Sequence, residues 1–347
     1  MENMEKMEKI DFVIPWVDGS DPEWLATKAI YESSETLPEK MSDANAECRY
    51  RDNGLLRFWF RGAEQFAPWV NKIHFVTDNQ IPSWLNTAHP KLHIVNHSDF
   101  IPRKYLPTYN SGTIEMNFHR IEGLSEHYVF FNDDTFLLKT TPPECFFKNG
   151  NPVLETDLRY SNKVGYNHWS RRLFNDYCVL NSSFDTRASI WEHRDKWFSF
   201  KELGIKRAQQ NLRCFWANKT IPVGLYGHLA QPHLKSTLQE LWDRHPDVMD
   251  VSCGHKFRSD DQVNQWLLCA WNQAKGCFFP IRSITQGRHF TIMPAQIGWI
   301  CQVIKDQEYF HVCLNESGAT EDAVGCLKQI VEAFACILPN KSSFEKS

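Results

Sequence analysis

The stretch IDFVIPWVDGSDP, residues 10–22, decides the fold of this 347-residue chain. Its first half is short, apolar and β-branched, which is typical of a buried strand, and its second half is a polar turn. The same arrangement recurs at residues 73–80 and 128–134, and a further short apolar run lies at residues 92–95. Helical spacing between these runs predicts βαβ units, and therefore an α/β fold with a mostly parallel sheet flanked by helices.

The remaining pattern predicts where the helices lie. Residues 147–220 are rich in aromatic and basic residues, and we interpret them as a mainly helical insertion. Apolar spacing predicts strands near Phe290 and over residues 309–312. It predicts helices over residues 52–66, one turn around Trp84, residues 111–124, 232–242, 259–274 with Ser259 as N-cap, and 320–335.

Composition excludes several classes of protein. Lys and Arg number 38 against 42 Asp and Glu, a net charge of -4, so a nucleic-acid partner is not expected. No apolar run reaches the roughly 18 to 20 residues of a membrane helix, and the charged start MENMEKMEKID is unlike a signal peptide. We therefore expect an intracellular protein without a transmembrane segment. Eleven Cys without a C-x-x-C pair predict reduced, mostly buried thiols.

Three of the predicted strands end in acidic turns, which would meet at one edge of a parallel sheet. Asp18 and Asp21 could accept hydrogen bonds from a ribose or help hold a cation, and Gly19 would let a ligand approach the backbone; an ordinary Asp-Gly turn is an equal alternative. In Asn132-Asp133-Asp134 we expect one carboxylate to face the site, since neighbouring strand residues point to opposite faces. Such oxygens suit Mg²⁺ or Mn²⁺ on a diphosphate, although acidic residues after strands are common.

Two further groups could carry chemistry. Glu115, His119 and Glu122 form the polar face of the helix predicted over residues 111–124, and a solvated face is favoured about two to one. His228 is a plausible proton acceptor, and Arg258, just before a predicted helix, is placed to hold phosphate oxygens. His228 and Arg258 are useful candidates only if the fold brings them close to the acidic turns.

Four blocks of the sequence resemble the Stealth family, the sugar-1-phosphate transferases of bacterial capsule synthesis, which have an animal relative. The blocks are IDFVIPWVDGSDPEW, then RYRDNGLLRFWFRGAEQF continuing through YLPTYNSGTIEMNFHRIEG to YVFFNDDTFL, then GHLAQPHLKSTLQEL with HKFRSDDQVNQWLL, and HVCLNES. They occur in the family's order and span most of residues 10–317. The resemblance implies a Rossmann-like sheet of the GT-A type.

The resemblance also implies roles for individual residues. It implies catalytic roles for Glu115, Asp134, His228 and Arg258. It implies nucleotide-sugar contacts for Asp18, Asp21 and Arg57, and metal ligands at Asp134, Asn315 and Glu316. The family's closing block has Asp where this chain has Glu316, which puts that ligand in doubt, and Gly112 stands where Asn is more familiar.

The implied reaction transfers a sugar-1-phosphate from a UDP-sugar, such as UDP-GlcNAc or a UDP-hexose, to a hydroxyl of an oligo- or polysaccharide acceptor. UMP is released and a phosphodiester forms, with Mg²⁺ or Mn²⁺ as cofactor. We expect residues 1–146 to bind the nucleotide-sugar, residues 147–220 to form a cap over the acceptor, and residues 221–347 to complete the same domain. His228 is favoured as base and Asp134 as metal ligand, with the reverse left open.

Location and two alternative functions complete the predictions. The expected location is cytoplasmic, with peripheral attachment to the inner face of the membrane and a lipid-linked acceptor as further options. One alternative is a metal-dependent glycosyltransferase that releases UDP. The other is a non-catalytic Ca²⁺-dependent carbohydrate-binding protein, which would leave His228 and Arg258 without a role.

Overall fold

The described strands form one five-stranded sheet and smaller sheets beside it. The computed structural model describes residues 8–34, 50, 53–159, 168–217, 223–224, 228–282, 286–316 and 323–346. The strands in these ranges are β1 (Ile10–Pro15), β2 (Ile73–Thr77), β3 (Leu92–Asn96), β4 (His127–Phe130), β5 (Thr135–Leu137), β6 (Phe147–Lys148), β7 (Asn151–Glu155), β8 (Leu158–Arg159), β9 (Val223–Gly224), β10 (Gln231–Leu234), β11 (Phe279–Ile281), β12 (Gly287–Ile292) and β13 (His311–Glu316).

Helices cover both faces of the main sheet. They are α1 (Pro22–Ser34), α2 (Leu56–Phe66), α3 (His97–Phe100), α4 (Ser111–Glu115), α5 (His168–Ser183), α6 (Thr186–Glu192), α7 (Arg194–Trp197), α8 (Phe200–Trp216), α9 (Lys235–Arg244), α10 (Pro246–Gly254), α11 (Trp266–Ala274), α12 (Ile297–Lys305) and α13 (Ala323–Ile337). Short 3₁₀ turns lie at Arg103–Tyr105, Phe118–Arg120 and Pro143–Cys145.

The main sheet has the strand order β10-β4-β1-β2-β3, and every pairing in it is parallel except that of β10 with β4. The predicted α/β class with a mostly parallel sheet is confirmed. The carboxyl ends of parallel strands lie at one edge, so the turns after β1, β2 and β4 all emerge there. A second sheet of order β12-β13-β5 continues from β4, because β5 begins just after the Asn132-Asp133-Asp134 turn.

Alternating side chains of β1 pack into two different hydrophobic cores. Phe12 and Ile14 belong to the core that α2, α12 and α13 cover, whereas Val13 belongs to the core under α9, α10 and α11. All three side chains are fully buried. A strand buried on both faces is largely apolar, and the one charged residue of β1, Asp11, is satisfied by hydrogen bonds, so this stretch predicts a buried strand.

The helix predicted over residues 111–124 is wrong in its length. The chain forms α4, then a separate 3₁₀ turn at Phe118–Arg120. Trp242 Nε1 donates to the carbonyl of Met116 at 2.7 Å, and Asn117 Nδ2 donates to the carbonyl of Thr113 at 2.8 Å, so tertiary and side-chain donors use carbonyls that a helix would need. His119 is buried rather than on a solvated face.

Two other helix predictions are wrong at their starts. Residues 231–234 pair with β4 as an edge strand, where Pro232 is tolerated, and α9 begins only at Lys235. The helix predicted from Ser259 begins at Trp266. The backbone N–H of Val263 donates to Ser252 Oγ at 3.1 Å instead, and that of Asn264 to Asp176 Oδ1 at 2.9 Å. Residues near Trp84 form a turn, not a helix.

The insertion contains strands as well as helices. Residues 147–159 form β6, β7 and β8, and the predicted helical character is confirmed for α5 to α8. The ten cysteines in the described part of the chain are free thiols and seven of them are buried, as expected. No helix within the described ranges is long and apolar enough to cross a membrane.

Candidate active site at the carboxyl edge of the sheet

The turn after β1 is locked to the turn after β2 by one glutamine. The Asp18 backbone N–H donates to Gln80 Oε1 at 2.8 Å, and Gln80 Nε2 donates to the Asp18 carbonyl at 3.0 Å and to Asp21 Oδ2 at 3.2 Å. Asp21 Oδ1 also accepts from the backbone N–H groups of Glu23 and Trp24 at the start of α1. Hydrogen bonds from Trp24, Gln80 and Glu23, in that order, lower the pKa of the Asp21 carboxyl.

Gly19 has a different role from the one expected. A Cβ on this residue would lie 2.2 Å from the carbonyl oxygen of Tyr50, to which the Gly19 N–H donates at 2.7 Å. The close backbone approach that excludes a side chain is therefore made by the protein itself rather than by a ligand.

The turn after β4 places a carboxylate beside an imidazole. Asp134 Oδ2 lies 3.8 Å from His228 Nε2, and Asn132 Nδ2 lies 3.3 Å from the same nitrogen. The Asn132 amide can donate to Nε2 when that nitrogen is unprotonated, and an unprotonated nitrogen is the form that a general base needs. Asp133 is exposed and Asp134 is half-buried.

A thiol completes a group of possible metal ligands. Asp134, His228 and Cys313 each offer one ligand atom, and these atoms lie within 4.8 Å of one another. Burial, followed by the charge of Asp134, raises the pKa of the Cys313 thiol well above its ordinary value. The Leu314 N–H donates to the Asp134 carbonyl at 2.8 Å, which fixes β13 against the turn.

The predicted ligands Asn315 and Glu316 lie next along β13. Glu316 is buried, and its Oε2 accepts a hydrogen bond from Asn53 Nδ2 at 3.2 Å. Their roles as ligands stay predictions.

A second cluster surrounds Glu115. The Glu115 side chain is 8% exposed; burial raises the pKa of its carboxyl, and the charges of Arg172 and Arg258 oppose that rise. Arg258 Nη2 donates to Ser111 Oγ at 3.0 Å, at the start of α4. The structure thus brings together Glu115 and Arg258, which are 143 positions apart in the numbering.

Arg172 is the member of this cluster that the sequence analysis missed. Its Nη2 donates to Gln262 Oε1 at 3.0 Å. Burial lowers the pKa of its guanidinium to about 10, the nearby charge of Arg258 acts in the same direction, and Glu115 opposes both. The tandem Arg171-Arg172 within the aromatic insertion is the signal that could have pointed to it.

Gly112 makes room for Arg172. A Cβ on Gly112 would lie 2.8 Å from the Arg172 Nη2 atom, so any larger residue would displace the guanidinium. This contact gives a physical reason for Gly at position 112.

Arg57 lies on α2 with its side chain about half exposed. Its guanidinium carbon is 5.1 Å from the centre of the Trp84 ring, and Nη1 is 4.0 Å from Glu345 Oε2. These contacts hold the side chain against the C-terminal segment, and its contact with a nucleotide-sugar stays a prediction. His233, by contrast, is buried in β10 beside Tyr128.

Comparison with known proteins agrees with the first two sequence blocks. Residues 8–36 match the model of Stealth conserved region 1, and residues 49–154 match that of Stealth conserved region 2. The capsular polysaccharide phosphotransferase WcwK of Streptococcus pneumoniae is 36% identical over 344 residues, covering 98% of this chain and 100% of that protein. The chain belongs to the Stealth family.

Other Stealth relatives are similar over their full length. The receptor polysaccharide phosphotransferase WefC of Streptococcus gordonii is 38% identical over 98% of this chain and 99% of its own. The exopolysaccharide phosphotransferase cps2G of Lactiplantibacillus plantarum is 30% identical over 97% of this chain and 96% of its own. These alignments extend through the third and fourth blocks, which contain His228, Arg258 and Cys313.

Solved structures give a weaker likeness. The galactosyltransferase LgtC matches with a TM-score of 0.38 and 8% identity, covering 96% of this chain and 98% of its own. The bifunctional glycosyltransferase WbbM matches with a TM-score of 0.36 and 11% identity, covering 96% of this chain and 51% of its own. At these scores the likeness carries no argument, and the fold class rests on the strand order itself.

Proposed function

We propose that this chain transfers a sugar-1-phosphate from a UDP-sugar to a hydroxyl of an acceptor glycan, releasing UMP, in capsular or exopolysaccharide synthesis. The observation that carries the proposal is the pairing of His228 with Asp134 at the edge where ligands bind in α/β sheets. The names of the full-length relatives support the same reaction class.

His228 is the proposed base. Its Nε2 takes the proton from the acceptor hydroxyl while the oxygen attacks the phosphorus nearest the donor sugar. The bond from that phosphorus to the oxygen shared with the second phosphate breaks, and UMP leaves with that oxygen. The product is a sugar–phosphate–sugar diester. A positioned base of this type contributes about 10²- to 10⁴-fold in rate.

The Glu115 cluster is the proposed site for the charge of the phosphates. Burial, and after it the charge of Arg258, lowers the pKa of Arg172, and the carboxylates of Glu115, Asp176 and Asp260 oppose that change. A bound phosphate would be attracted by the two guanidinium groups. We assign Arg258 to the charge that develops in the transition state, and Arg172, which Gln262 holds in place, to positioning Arg258 and Glu115.

Asp134 is the proposed holder of Mg²⁺ or Mn²⁺, with Asn315 and Glu316 as further predicted ligands. The carboxylate fits such an ion, because Mg²⁺ is usually held by one or two carboxylates and the substrate's phosphates. The nitrogen of His228 and the sulfur of Cys313 suit softer ions, so we leave them outside this ligand set. When bound, the ion would neutralise charge on the diphosphate.

The remaining assignments concern binding. Asp18, Asp21 and Arg57 are proposed to contact the nucleotide-sugar, with Gln80 holding the first two turns in place. The insertion at residues 147–220 is proposed to shape the acceptor pocket, and the proposed location is cytoplasmic.

The test is a panel of UDP-sugars with Mg²⁺ and acceptor glycans, with the released nucleotide separated by chromatography. We expect UMP to appear only when donor and acceptor are both present. Release of UDP would instead identify a glycosyltransferase. Binding of glycan in Ca²⁺ without consumption of any nucleotide-sugar would identify a carbohydrate-binding protein.

A further inference from the structure

Exposed apolar side chains are concentrated in the helices of the insertion. Twelve large hydrophobic side chains are exposed within the described ranges, and half of them lie between residues 168 and 217. The six are Phe174, Trp191, Phe200, Ile205, Leu212 and Trp216. Such a concentration is typical of a surface that contacts something other than water.

Three of these side chains form one stripe along α8. Ile205, Leu212 and Trp216 are seven and four residues apart, so they lie within about 40° of one another around the helix axis. Their exposed fractions are 63%, 37% and 58%. These residues follow Gly204, whose backbone is not helical, and on the opposite side of this segment Cys214 is buried, so the segment has a second, apolar face that no described part of the chain covers.

A tryptophan of the neighbouring helix extends the stripe. The ring centres of Trp191 on α6 and Trp216 are 5.8 Å apart, and Trp191 also stacks on Phe215 at 5.6 Å. Trp191 remains 45% exposed. We call Trp191, Ile205, Leu212 and Trp216 the apolar stripe.

Positive charge lies beside the apolar stripe on α8. This helix contains four Lys and Arg against the single acid Glu202, and one of the four, Arg207, is paired with the buried Asp157 at 2.7 Å. Lys201, Lys206 and Arg213 on α8 are exposed. Lys206 and Arg213 follow Ile205 and Leu212 by one position each, so they lie beside the apolar stripe rather than opposite it.

We propose that the apolar stripe docks on a membrane surface with anionic headgroups. Tryptophan and aliphatic side chains flanked by Lys and Arg match the boundary between acyl chains and headgroups. The exposed Lys201, Lys206 and Arg213 of α8 are complementary to an anionic lipid and would attract it at a distance. An acidic protein or a second copy of the chain is the competing occupant.

The test is sedimentation of the full chain with vesicles, without donor or acceptor. Vesicles made of equal parts of phosphatidylglycerol and phosphatidylcholine should bind the chain at least about tenfold more tightly than phosphatidylcholine alone, and salt should weaken the binding. The double variant Ile205→Ser with Trp216→Ser should lose binding by about tenfold or more. The matched control, Ile30→Ser with Trp299→Ser, removes one exposed Ile and one exposed Trp from α1 and α12 and should bind normally.

A second variant keeps the test decisive if the first misfolds. Lys201→Glu with Lys206→Glu changes two exposed side chains, should fold normally by circular dichroism, and should bind anionic vesicles several-fold more weakly. Absence of binding to anionic vesicles, or equal loss in the control variant, would overturn the proposal. So would self-association that depends on Ile205 and Trp216 without vesicle binding. Because no substrate is used, failure here is distinguishable from failure of the proposed reaction.

Discussion

Two Asp–His pairs lie at opposite ends of the same sheet. They differ in burial, in the distance between carboxylate and imidazole, and in the number of hydrogen bonds that the carboxylate accepts. Asp11 and His74 are fully buried, with Oδ2 and Nε2 3.2 Å apart. Asp11 also accepts from Asn71 Nδ2 at 2.6 Å and from the backbone N–H groups of Lys72 and Ser125. Its carboxylate has no capacity left for a ligand, so this pair is part of the scaffold.

The pair at the carboxyl edge is loose by comparison. Asp134 and His228 are 3.8 Å apart, with side chains 24% and 36% exposed. Asp134 Oδ1 accepts a long hydrogen bond of 3.3 Å from Thr135 Oγ1. The difference shows that residue type alone does not mark a site: a carboxylate that its own fold leaves partly unsatisfied is the one that can take a ligand.

The largest expected effect separates the two pairs by activity. His228→Ala should lower the transfer rate by about 10²- to 10⁴-fold, because the base is lost, while the thermal midpoint stays close to that of the parent chain. Rates of UMP release, measured with donor and acceptor in excess, check this. His255→Ala is the matched control, since His255 also pairs with an aspartate, Asp261 at 3.0 Å, but is not assigned a role. A near-normal rate in His228→Ala would remove its assignment as base.

The second expected effect concerns the positive charge of Arg258, which lies in the Glu115 cluster and not in either Asp–His pair. Arg258→Ala should lower transfer by about 10³-fold while leaving much of the donor binding, because the guanidinium acts on charge that develops in the transition state. Arg171→Ala is the control: Arg171 forms a partly exposed ion pair with Asp260 at 2.7 Å, and such pairs contribute little. Steady-state kinetics and donor titration by calorimetry separate rate from binding. Loss of donor affinity alone, with an unchanged maximal rate, would contradict the assignment.

The smallest expected effect is on the free energy of unfolding, and it concerns the buried pair of Asp11 and His74. Burial alone would raise the pKa of Asp11, but hydrogen bonds from His74, Asn71 and Ser125 outweigh it and lower that pKa below its ordinary value. A lowered pKa stabilises the folded chain above the unfolded value, near 3.9, and this stabilisation is lost as the pH falls through the folded value. Asp11→Asn should therefore lower the free energy of unfolding by about 1 to 3 kcal/mol at neutral pH.

Urea unfolding over a series of pH values checks the scaffold prediction. The difference between Asp11→Asn and the parent chain should shrink in the acid range and be constant above it. A difference that is independent of pH would mean that the ionised carboxylate is not what stabilises this end of the sheet.

The sequence predicts the sheet better than the site. Strands such as β1 and β4 are short apolar runs with polar turns after them, and their positions follow from local pattern. Local pattern predicts a helix over residues 259–265, and this prediction is wrong. Backbone N–H groups in this segment donate to the side chains of Ser252 and Asp176 instead of to helix carbonyls. Long-range hydrogen bonds of this type leave no periodic trace in a sequence.

The site residues divide in the same way. Asp134 is predictable because it follows a strand, and His228 and Arg258 are candidates by residue type, to which the family blocks add specific roles. Arg172 and Cys313 reach their clusters only through tertiary packing, and no local spacing connects either to Glu115 or to Asp134. The sequence does not predict the role of Gln80 for the same reason, because that role is to link two turns that are far apart in the chain.

The most direct test follows the phosphorus atom next to the donor sugar. A UDP-sugar labelled at that phosphorus is incubated with the enzyme and an acceptor glycan, and the products are separated. The account predicts that the label leaves the nucleotide and appears in a phosphodiester between the two sugars. Label that stays in released UDP, with the sugars joined through an unphosphorylated oxygen, would contradict it.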